Sequence, residues 1–264
     1  MPSFLSPDGI AASIPRAALV TGAAARLGRA VALALADAGF AVAVHARTGT
    51  EEAERTAALV RERGRAAVVL AADLTNEAEV RALPAAAAEA LGPLGVLVNN
   101  ASCFERDEWT DATRAGWDRH LETNLRAPFV LMQEFAASLP QRAEGVVINM
   151  IDQRVWSLTP HFVTYTVSKA GLWALTQTAA LAFAPRIRVN AIGPGPALPS
   201  RRQSAEHFAR QCTLAPLGRG TSPEEVGRAA LAILSLPALT GQMLALDGGQ
   251  HLQWSPAHDA PLEE

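Results

Sequence analysis

Short apolar runs alternate with longer amphipathic segments along most of this chain. Seven apolar runs have the length of a buried strand and cover 17–20, 41–44, 67–70, 95–98, 145–151, 187–190 and 242–246. Helical periodicity occupies 28–38, 51–63, 77–91, 117–139, 162–183 and 223–236. Apolar strands alternating with helices are typical of a parallel sheet covered on both faces. The pattern predicts an α/β fold, a Rossmann-type doubly wound parallel sheet of about seven strands with ligands at the carboxyl ends of the strands.

Length and composition are consistent with one large domain. The chain has 264 residues, of which 49% are hydrophobic and 19% are charged. No Pro/Gly/Ser-rich linker divides it, so we expect a single domain over 1–264, with its core at about 15–250. The segments 1–14 and 255–264 are expected to be loose ends.

Charge and cysteine content restrict the partners. A net charge of −3 argues against a general nucleic-acid binder, which would carry a basic stripe.

The two cysteines, Cys103 and Cys212, form neither a metal-ligand spacing nor a disulfide framework. We therefore expect no metal site, and we expect the protein to be in the reducing cytoplasm. The N-terminus lacks the basic and apolar regions of a secretory signal, and no apolar run approaches membrane-spanning length. A small-molecule substrate is the expected partner.

A small-residue loop, Thr21-Gly22-Ala23-Ala24-Ala25-Arg26-Leu27-Gly28, separates the first strand from the first helix. Small residues let backbone N–H groups approach a phosphate, and the helix N-terminus adds partial positive charge. We assign Gly22, Arg26, Leu27 and Gly28 to a dinucleotide site. An ordinary strand–helix turn is the alternative. Arg26 stands where glycine is usual, and its cation would lie beside the pyrophosphate unless it is merely exposed.

The second strand ends in His45-Ala46-Arg47-Thr48. NAD enzymes usually place an acidic residue here to bind the ribose hydroxyls. Arg47 and Thr48 could instead bind a 2′-phosphate by charge and hydroxyl. We therefore place His45, Arg47 and Thr48 at the cofactor and predict a preference for NADPH, although a solvated loop arginine is the alternative.

Polar residues also follow the third and fourth strands. Asp73-Leu74 could bond the adenine edge, or Asp73 could be a helix N-cap. Asn99-Asn100-Ala101-Ser102 follows the fourth strand. Its asparagines can tie adjacent strand ends together, and its small residues permit close approach to a cofactor.

Tyr165 and Lys169 are one helical turn apart and share a face. A tyrosine with a pKa of about 10 is a poor acid–base group at neutral pH. A lysine ammonium beside it favours the phenolate and lowers that pKa. The pair is therefore a candidate for proton transfer, against the alternative of a packed tyrosine with a surface lysine. Asp152, at the end of the fifth strand, lies shortly before this pair in the chain.

The motifs together resemble the short-chain dehydrogenase/reductase superfamily over about residues 15–250. The matching residues are the Thr21-to-Gly28 loop, Asp73, Asn99-Asn100-Ala101, Asn124, Tyr165, Lys169, Arg188-Val189-Asn190, Gly193-Pro194-Gly195, Thr240-Gly241-Gln242 and Leu246-Asp247-Gly248-Gly249.

Within the superfamily the chain resembles the branch of pteridine and dihydromonapterin reductases. Four features carry this resemblance: Arg26-Leu27-Gly28, Arg47-Thr48, Asn100-Ala101-Ser102-Cys103-Phe104, and Asp152 where most members have a serine.

The branch resemblance implies a substrate site. Phe104 would stack on a pterin ring, Arg26 would reach both pyrophosphate and pterin, and Ser102 would bond near their junction. Asp152 would hydrogen-bond Tyr165 and share in delivering a proton to a ring nitrogen. The alternatives are that Phe104 packs in the core and that Asp152 caps the next helix or pairs with a neighbouring arginine.

The resemblance also implies roles around the cofactor and between subunits. Lys169 would bind the nicotinamide ribose and Asn124 would hold a water in the proton path, while Pro194 and Gly195 belong to the cofactor site. The helical segment 165–183 is apolar or small nearly all round, and related proteins often pack it across a subunit interface, so a homotetramer is expected.

Two segments of the chain differ from the branch. Pro196-Ala197 follows Gly193-Pro194-Gly195, where the branch often has Leu-Ser, and the lid candidate 198–213, with Arg201, Arg202 and His207, has no match there. Trp156 could line the pocket or pack in the core. The leading hypothesis is an NADPH-dependent reductase of a pterin-type C=N bond. The alternatives are a short-chain reductase of a ketone or 3-oxoacyl substrate, and a non-catalytic NADP(H)-binding sensor.

Overall fold

Seven parallel strands form the centre of the computed structural model, which describes residues 9–48, 51–200 and 203–253. The strands are β1 (Ala17–Val20), β2 (Ala41–Ala46), β3 (Ala67–Ala71), β4 (Val96–Asn99), β5 (Gly145–Met150), β6 (Ile187–Pro194) and β7 (Met243–Leu246). Their order in the sheet is β3-β2-β1-β4-β5-β6-β7. The predicted doubly wound sheet is therefore confirmed.

Helices cover both faces of this sheet. They are α1 (Arg26–Asp37), α2 (Glu51–Glu62), α3 (Glu77–Leu91), α4 (Arg114–Leu121), α5 (Ala127–Ser138), α6 (Val163–Phe183), α7 (Ala205–Thr213) and α8 (Pro223–Ser235). Successive strand residues point to opposite faces. Ala18 and Val20 accordingly pack under α1, α2 and α8, whereas Ala17 and Leu19 pack under α3 and α5.

The sheet grows from β1 in two directions: β2 and β3 lie on one side of it, and β4 to β7 lie on the other. Leu19 pairs with Ala43 of β2 on one side and with Leu97 of β4 on the other. The chain leaves β1 toward β2 and later returns to β4, so the connections diverge and open a crevice at the carboxyl ends of these two strands. Doubly wound sheets bind their ligands in such a crevice.

The N-terminal segment corrects one prediction. Residues 1–14 were expected to be loose, but Ile10 and Ile14 are buried in the core under α1 and α8. The backbone N–H of Glu144 also donates to the Ser13 carbonyl at 3.1 Å. The prediction is wrong for 9–14, because two isoleucines are enough to anchor the segment. Residues 1–8 and 254–264 lie outside the described residues.

The helix predicted over 117–139 has a different form. It begins earlier, at α4, where the Thr113 side chain accepts from the Gly116 N–H. A π-helical turn, Glu122–Arg126, then joins α4 to α5. Turns of this kind occur often at functional sites, and this one contains the predicted site residue Asn124.

The lid candidate contains a helix that the apolar pattern did not predict. The helix α7 occupies 205–213, and the Ser204 side chain caps it by accepting from the His207 N–H. Phe208 is the single large apolar side chain in these nine residues, so the segment has no stripe of apolar residues to mark a helix. Arg201 and Arg202 lie outside the described residues.

Candidate active site

A cavity of about 670 Å³ opens at the carboxyl edge of the sheet. The predicted residues that line it are Arg26, Leu27, Asn100, Ser102, Phe104, Asp152, Tyr165, Lys169, Pro194 and Gly195. They come from the start of α1, from the carboxyl ends of β4, β5 and β6 and the loops after them, and from α6, so the sheet topology and two helices together assemble the cavity. The other predicted residues, Gly22, Gly28, His45, Arg47, Thr48, Asp73, Leu74, Ala101 and Asn124, are not in the cavity lining.

Asp152 and Tyr165 are in direct contact. The Tyr165 hydroxyl donates to Oδ2 of Asp152 at 3.0 Å. The other carboxylate oxygen, Oδ1, accepts from the backbone N–H of Arg154 at 2.8 Å and caps a short 3-10 helix, Gln153–Val155. The cap and the contact with Tyr165 therefore coexist in one carboxylate, since each uses a different oxygen.

Lys169 lies behind this pair and is only 2% exposed. Its Nζ donates to the Met150 carbonyl at 2.8 Å and lies 5.8 Å from the centre of the Tyr165 ring. Burial lowers the pKa of Lys169 to about 8, and the nearby Asp152 carboxylate opposes that shift. The ammonium is thus bonded to a carbonyl close to the phenol and feels the charge of the Asp152 carboxylate.

Phe104 is stacked on one side and open to the cavity elsewhere. Its ring lies parallel to that of Phe162, with centroids 4.8 Å apart, and meets the Tyr165 ring edge-on at 4.7 Å. Phe162 has φ 58° and is buried, and the Arg154 guanidinium lies 5.0 Å from its ring centre. Packing therefore fixes Phe104 beside the phenol while the residue still lines the cavity.

A polar network that sequence reasoning missed fixes the loop carrying Phe104. Its centre is His120, which is buried in α4. The Glu105 N–H donates to His120 Nε2 at 3.1 Å, and Nδ1 lies 2.7 Å from the Thr164 hydroxyl. That hydroxyl also bonds the Asp107 carboxylate.

The network determines the protonation of His120. Nε2 accepts a backbone N–H, and the Thr164 hydroxyl donates to Asp107, so Nδ1 carries the single ring proton. Burial lowers the pKa of His120, which also favours the neutral ring. A single histidine on a helix gives no spacing signal, so only the three-dimensional structure identifies it.

Asn124 holds the loop after β4. Its amide donates to the Cys103 carbonyl at 2.9 Å and to the Ser168 hydroxyl at 3.0 Å. Its Oδ1 accepts from the Cys103 N–H at 2.7 Å and from the Ser102 hydroxyl at 3.2 Å. These bonds place Ser102 against the cavity, and the proton-path role of Asn124 stays a prediction.

The loop between β1 and α1 packs too tightly for larger residues. Gly22 has φ 62°, and a Cβ there would lie 2.9 Å from the Ala101 Cα. A Cβ on Gly28 would lie 2.3 Å from the Gly22 carbonyl oxygen. The Asn100 amide donates to the carbonyls of Thr21, at 2.8 Å, and Gly22, at 3.1 Å, which confirms that asparagine ties these strand ends together.

His45 supports this loop from behind. Its Nδ1 accepts from the Gly22 N–H at 3.1 Å, and Nε2 lies 3.1 Å from the Ala72 carbonyl. The ring is 1% exposed, and burial lowers its pKa. The side chain therefore has its surface turned to the protein, and it acts on the predicted cofactor site by positioning Gly22.

Arg47 and Thr48 are exposed at the carboxyl end of β2. Asp73, after β3, accepts from the backbone N–H and the hydroxyl of Thr75, and these bonds, with a smaller contribution from Arg47, lower its pKa. The N-cap of α3 is Asn76, so the helix-cap alternative for Asp73 is wrong. Leu74 is buried in the adjoining core.

Arg26 crosses the mouth of the cavity. Its backbone has φ 55°, and its guanidinium donates to the carbonyls of Pro199 at 3.0 Å and Leu198 at 3.2 Å. The α1 N-cap, Ala25, makes no side-chain capping bond, which leaves the N–H groups of the first turn available to a ligand.

The lid side of the cavity is lined by Ser200, Gln203, Phe208 and Gln211. Trp156 belongs to neither the cavity lining nor the core: it is 44% exposed and meets the rings of Trp173 and His251 edge-on. Across the described ranges there is no group of three or more metal-ligating side chains. A search of the same ranges finds no helix with the length and apolarity to span a membrane.

A family model described as enoyl-(acyl carrier protein) reductase matches residues 22–251. The chain belongs to the short-chain dehydrogenase/reductase family. Enzymes of this family use NAD or NADP, so the prediction of a nicotinamide cofactor is confirmed.

Individual relatives differ in activity. The 3β-hydroxysteroid dehydrogenase 1 of Eggerthella lenta is 35% identical, with 89% of this chain and 93% of the relative covered. The 3-oxoacyl-(acyl-carrier-protein) reductase of Staphylococcus aureus is 30% identical, with 90% and 98% covered.

Among solved structures, FolM alternative dihydrofolate reductase 1 from Brucella canis, complexed with NADP, is 45% identical with a TM-score of 0.89, and the match covers 94% of this chain and 98% of that one. A blue fluorescent protein from a metagenomic library, in complex with NADPH, is 29% identical with a TM-score of 0.80, and the match covers 89% and 97%.

Proposed function

We propose that this family member is an NADPH-dependent reductase of a pterin-type ring and reduces a C=N bond. The observation that carries the proposal is the 3.0 Å contact between the Tyr165 hydroxyl and the Asp152 carboxylate, with Phe104 edge-on to the same phenol. An aromatic face and an acid pair at one wall suit a flat heterocycle that accepts a proton on nitrogen.

The residues along the sheet edge fit NADPH. The closely packed Gly22 and Gly28 and the uncapped start of α1 suit a pyrophosphate, and the exposed Arg47 and Thr48 suit a 2′-phosphate. Both cited structures of similar chains contain NADP or NADPH, which supports this assignment. When bound, the reduced nicotinamide supplies a hydride.

Proton delivery falls to Asp152, Tyr165 and Lys169. A ring nitrogen takes up a proton more readily than a ketone oxygen does, so a carboxyl–phenol pair is a suitable acid. The Tyr165 hydroxyl gives its proton to the nitrogen, and Asp152, after taking up a proton from solvent, returns one to the phenolate across the 3.0 Å contact. The buried Lys169 ammonium stabilises the phenolate that forms.

A second candidate is the reduction of a ketone or 3-oxoacyl group. The two curated relatives above act on such substrates according to their names, and both cover nearly the whole chain. The Brucella dihydrofolate reductase supports the pterin-type substrate at a higher identity of 45%.

NADPH oxidation with a panel of substrates tests the proposal. Dihydrobiopterin, dihydromonapterin, dihydrofolate and a 3-oxoacyl thioester are assayed in parallel, with NADH as the cofactor control. We expect turnover with at least one dihydropterin and a higher kcat/KM with NADPH. Activity restricted to the thioester would favour the second candidate, and tight NADPH binding without any turnover would favour a sensor.

We also propose that the protein is a homotetramer, with α6 at an interface. In this single chain Val167 is 41% exposed and Leu181 is 82% exposed on α6, and apolar residues in such positions suit a subunit contact. Light scattering after size exclusion measures the mass, and a monomer at micromolar concentration would refute this proposal.

A further inference from the structure

Two glutamines line the cavity with unused acceptors. Gln153 directly follows Asp152 and is only 8% exposed, and Gln250 begins the 3-10 helix Gln250–Leu252. Both side chains line the cavity. Their Oε1 atoms are buried and accept no hydrogen bond from any residue within the described ranges.

These glutamines belong to one wall. The 3-10 helix Gln153–Val155 packs against Gln250–Leu252, and the Trp156 and His251 rings meet at 5.2 Å beside this contact. Gln250 Oε1 also lies 3.2 Å from the position that a Cβ on Gly195 would occupy. The amide pair therefore adjoins Asp152 on one side and the loop after β6 on the other.

A buried acceptor without a partner is unfavourable, because folding removes its water and supplies nothing instead. Gln153 lines the cavity, so rotation about its terminal bonds can present the amide to a bound molecule. An amide oxygen carries no proton and binds only a donor. A site with such an acceptor discriminates against an analogue that lacks the matching N–H or O–H group.

A ring N–H distinguishes the possible substrates chemically. A partly reduced pterin carries an N–H in the ring that contains the remaining C=N bond. A fully oxidised pterin has unprotonated nitrogens in that ring, and a 3-oxoacyl group has carbonyl oxygens at its reacting end. Only the partly reduced ring presents a donor close to the reacting atoms.

We propose that Gln153 determines specificity by accepting a hydrogen bond from the ring N–H of a partly reduced pterin, with Gln250 as the second acceptor. This inference rests on the proposed function and narrows it to the oxidation state of the ring.

Methionine substitution is the test, because Gln153→Met keeps the length of the side chain and removes the amide. Gln141→Met, in an exposed turn, is the matched control. KM and kcat are measured with dihydrobiopterin and with biopterin, and the Tm reports folding. We expect Gln153→Met to raise KM for dihydrobiopterin roughly tenfold, with kcat within about twofold and biopterin kinetics unchanged. Gln250→Met should act in the same direction and serves as a second test if Gln153→Met does not fold.

The outcomes separate the two proposals. If the wild type reduces dihydrobiopterin and both methionine variants keep its KM, only the glutamine inference is overturned. The glutamine inference is also overturned if the KM values for dihydrobiopterin and for biopterin rise by the same factor. If the wild type reduces no pterin at all, the proposed function fails and takes this inference with it.

Discussion

Replacing Asp152 by asparagine removes the carboxylate and keeps most of its structural role. Asparagine can still accept the Arg154 N–H through Oδ1, which is a 2.8 Å bond in the wild type. Its amide nitrogen then faces the Tyr165 hydroxyl, where the wild type has an acceptor oxygen at 3.0 Å. The phenol loses the partner to which it donates, and the site loses a group that can carry a proton.

The size of the effect follows from these two losses. A hydrogen bond to a charged group contributes about 1.5–3 kcal/mol, and a positioned acid contributes roughly 10²–10⁴ in rate. We therefore expect Asp152→Asn to lower kcat for a dihydropterin by roughly 10²–10³, or about 3–4 kcal/mol of transition-state stabilisation. Its Tm should stay near that of the wild type, whereas Asp152→Ala, which also loses the cap, should be less stable by about 1 kcal/mol.

We would measure kcat from steady-state NADPH oxidation and Tm from thermal unfolding, for the wild type and for both variants. Asp152→Ser provides the contrast, because a serine hydroxyl can polarise a carbonyl. It should lose pterin reduction and keep or gain activity on a 3-oxoacyl thioester. The reasoning is refuted if Asp152→Asn folds normally and keeps kcat for dihydropterin within about threefold of the wild type.

Three further predictions concern cofactor choice, pH and the glycine loop. Arg47→Ala should raise KM for NADPH roughly tenfold or more and leave NADH unchanged, and equal losses with both cofactors would contradict the 2′-phosphate role. Burial lowers the pKa of His45 and His120 below 6.5, so both histidines take up protons more readily in the unfolded chain. Their contribution to the free energy of unfolding should therefore be complete above that pH and should decrease as the pH falls below it. A Tm that is flat from neutral pH down to about 5 would refute this. Gly28→Ala should destabilise the protein by about 1–3 kcal/mol, since its Cβ would lie 2.3 Å from the Gly22 carbonyl oxygen, and unchanged denaturant unfolding would show that the loop can relax.

The strands were predictable because burial on both faces leaves a direct mark on the sequence. Each of the seven apolar runs became a strand, and the carboxyl ends of those strands brought Asn100, Asp152 and Pro194 to one cavity. The π-helical turn at Asn124 was not predictable, because one extra residue per turn barely changes an apolar pattern. The helix α7 was missed for a related reason: it buries none of its residues.

A role that depends on polar contacts between distant parts of the chain cannot be recognised from the sequence pattern. His120 joins the loop before α4 to the start of α6, and its partners Glu105 and Thr164 lie 15 and 44 positions away in the chain. Hydrophobic periodicity indicates which side chains are buried, but it does not indicate which donor forms a hydrogen bond with which acceptor. His45 has the same character, since its place at the end of β2 indicated the cofactor site while its ring bonds Gly22 from inside the protein.

Asp152 shows how one residue can combine a helix cap with a contact to the candidate acid Tyr165. A carboxylate has two oxygens with separate lone pairs, and in this protein one caps a 3-10 helix while the other accepts the Tyr165 hydroxyl. The cap fixes the carboxylate, which in turn fixes the direction in which the phenol donates. The same cap begins the turn that carries Gln153 to the cavity wall. A serine at this position could keep the cap, since its hydroxyl also accepts a backbone N–H, but it would offer no carboxylate to Tyr165. On the proposed function, Asp152→Ser should therefore change the proton-transfer pair while leaving the turn that carries Gln153 in place.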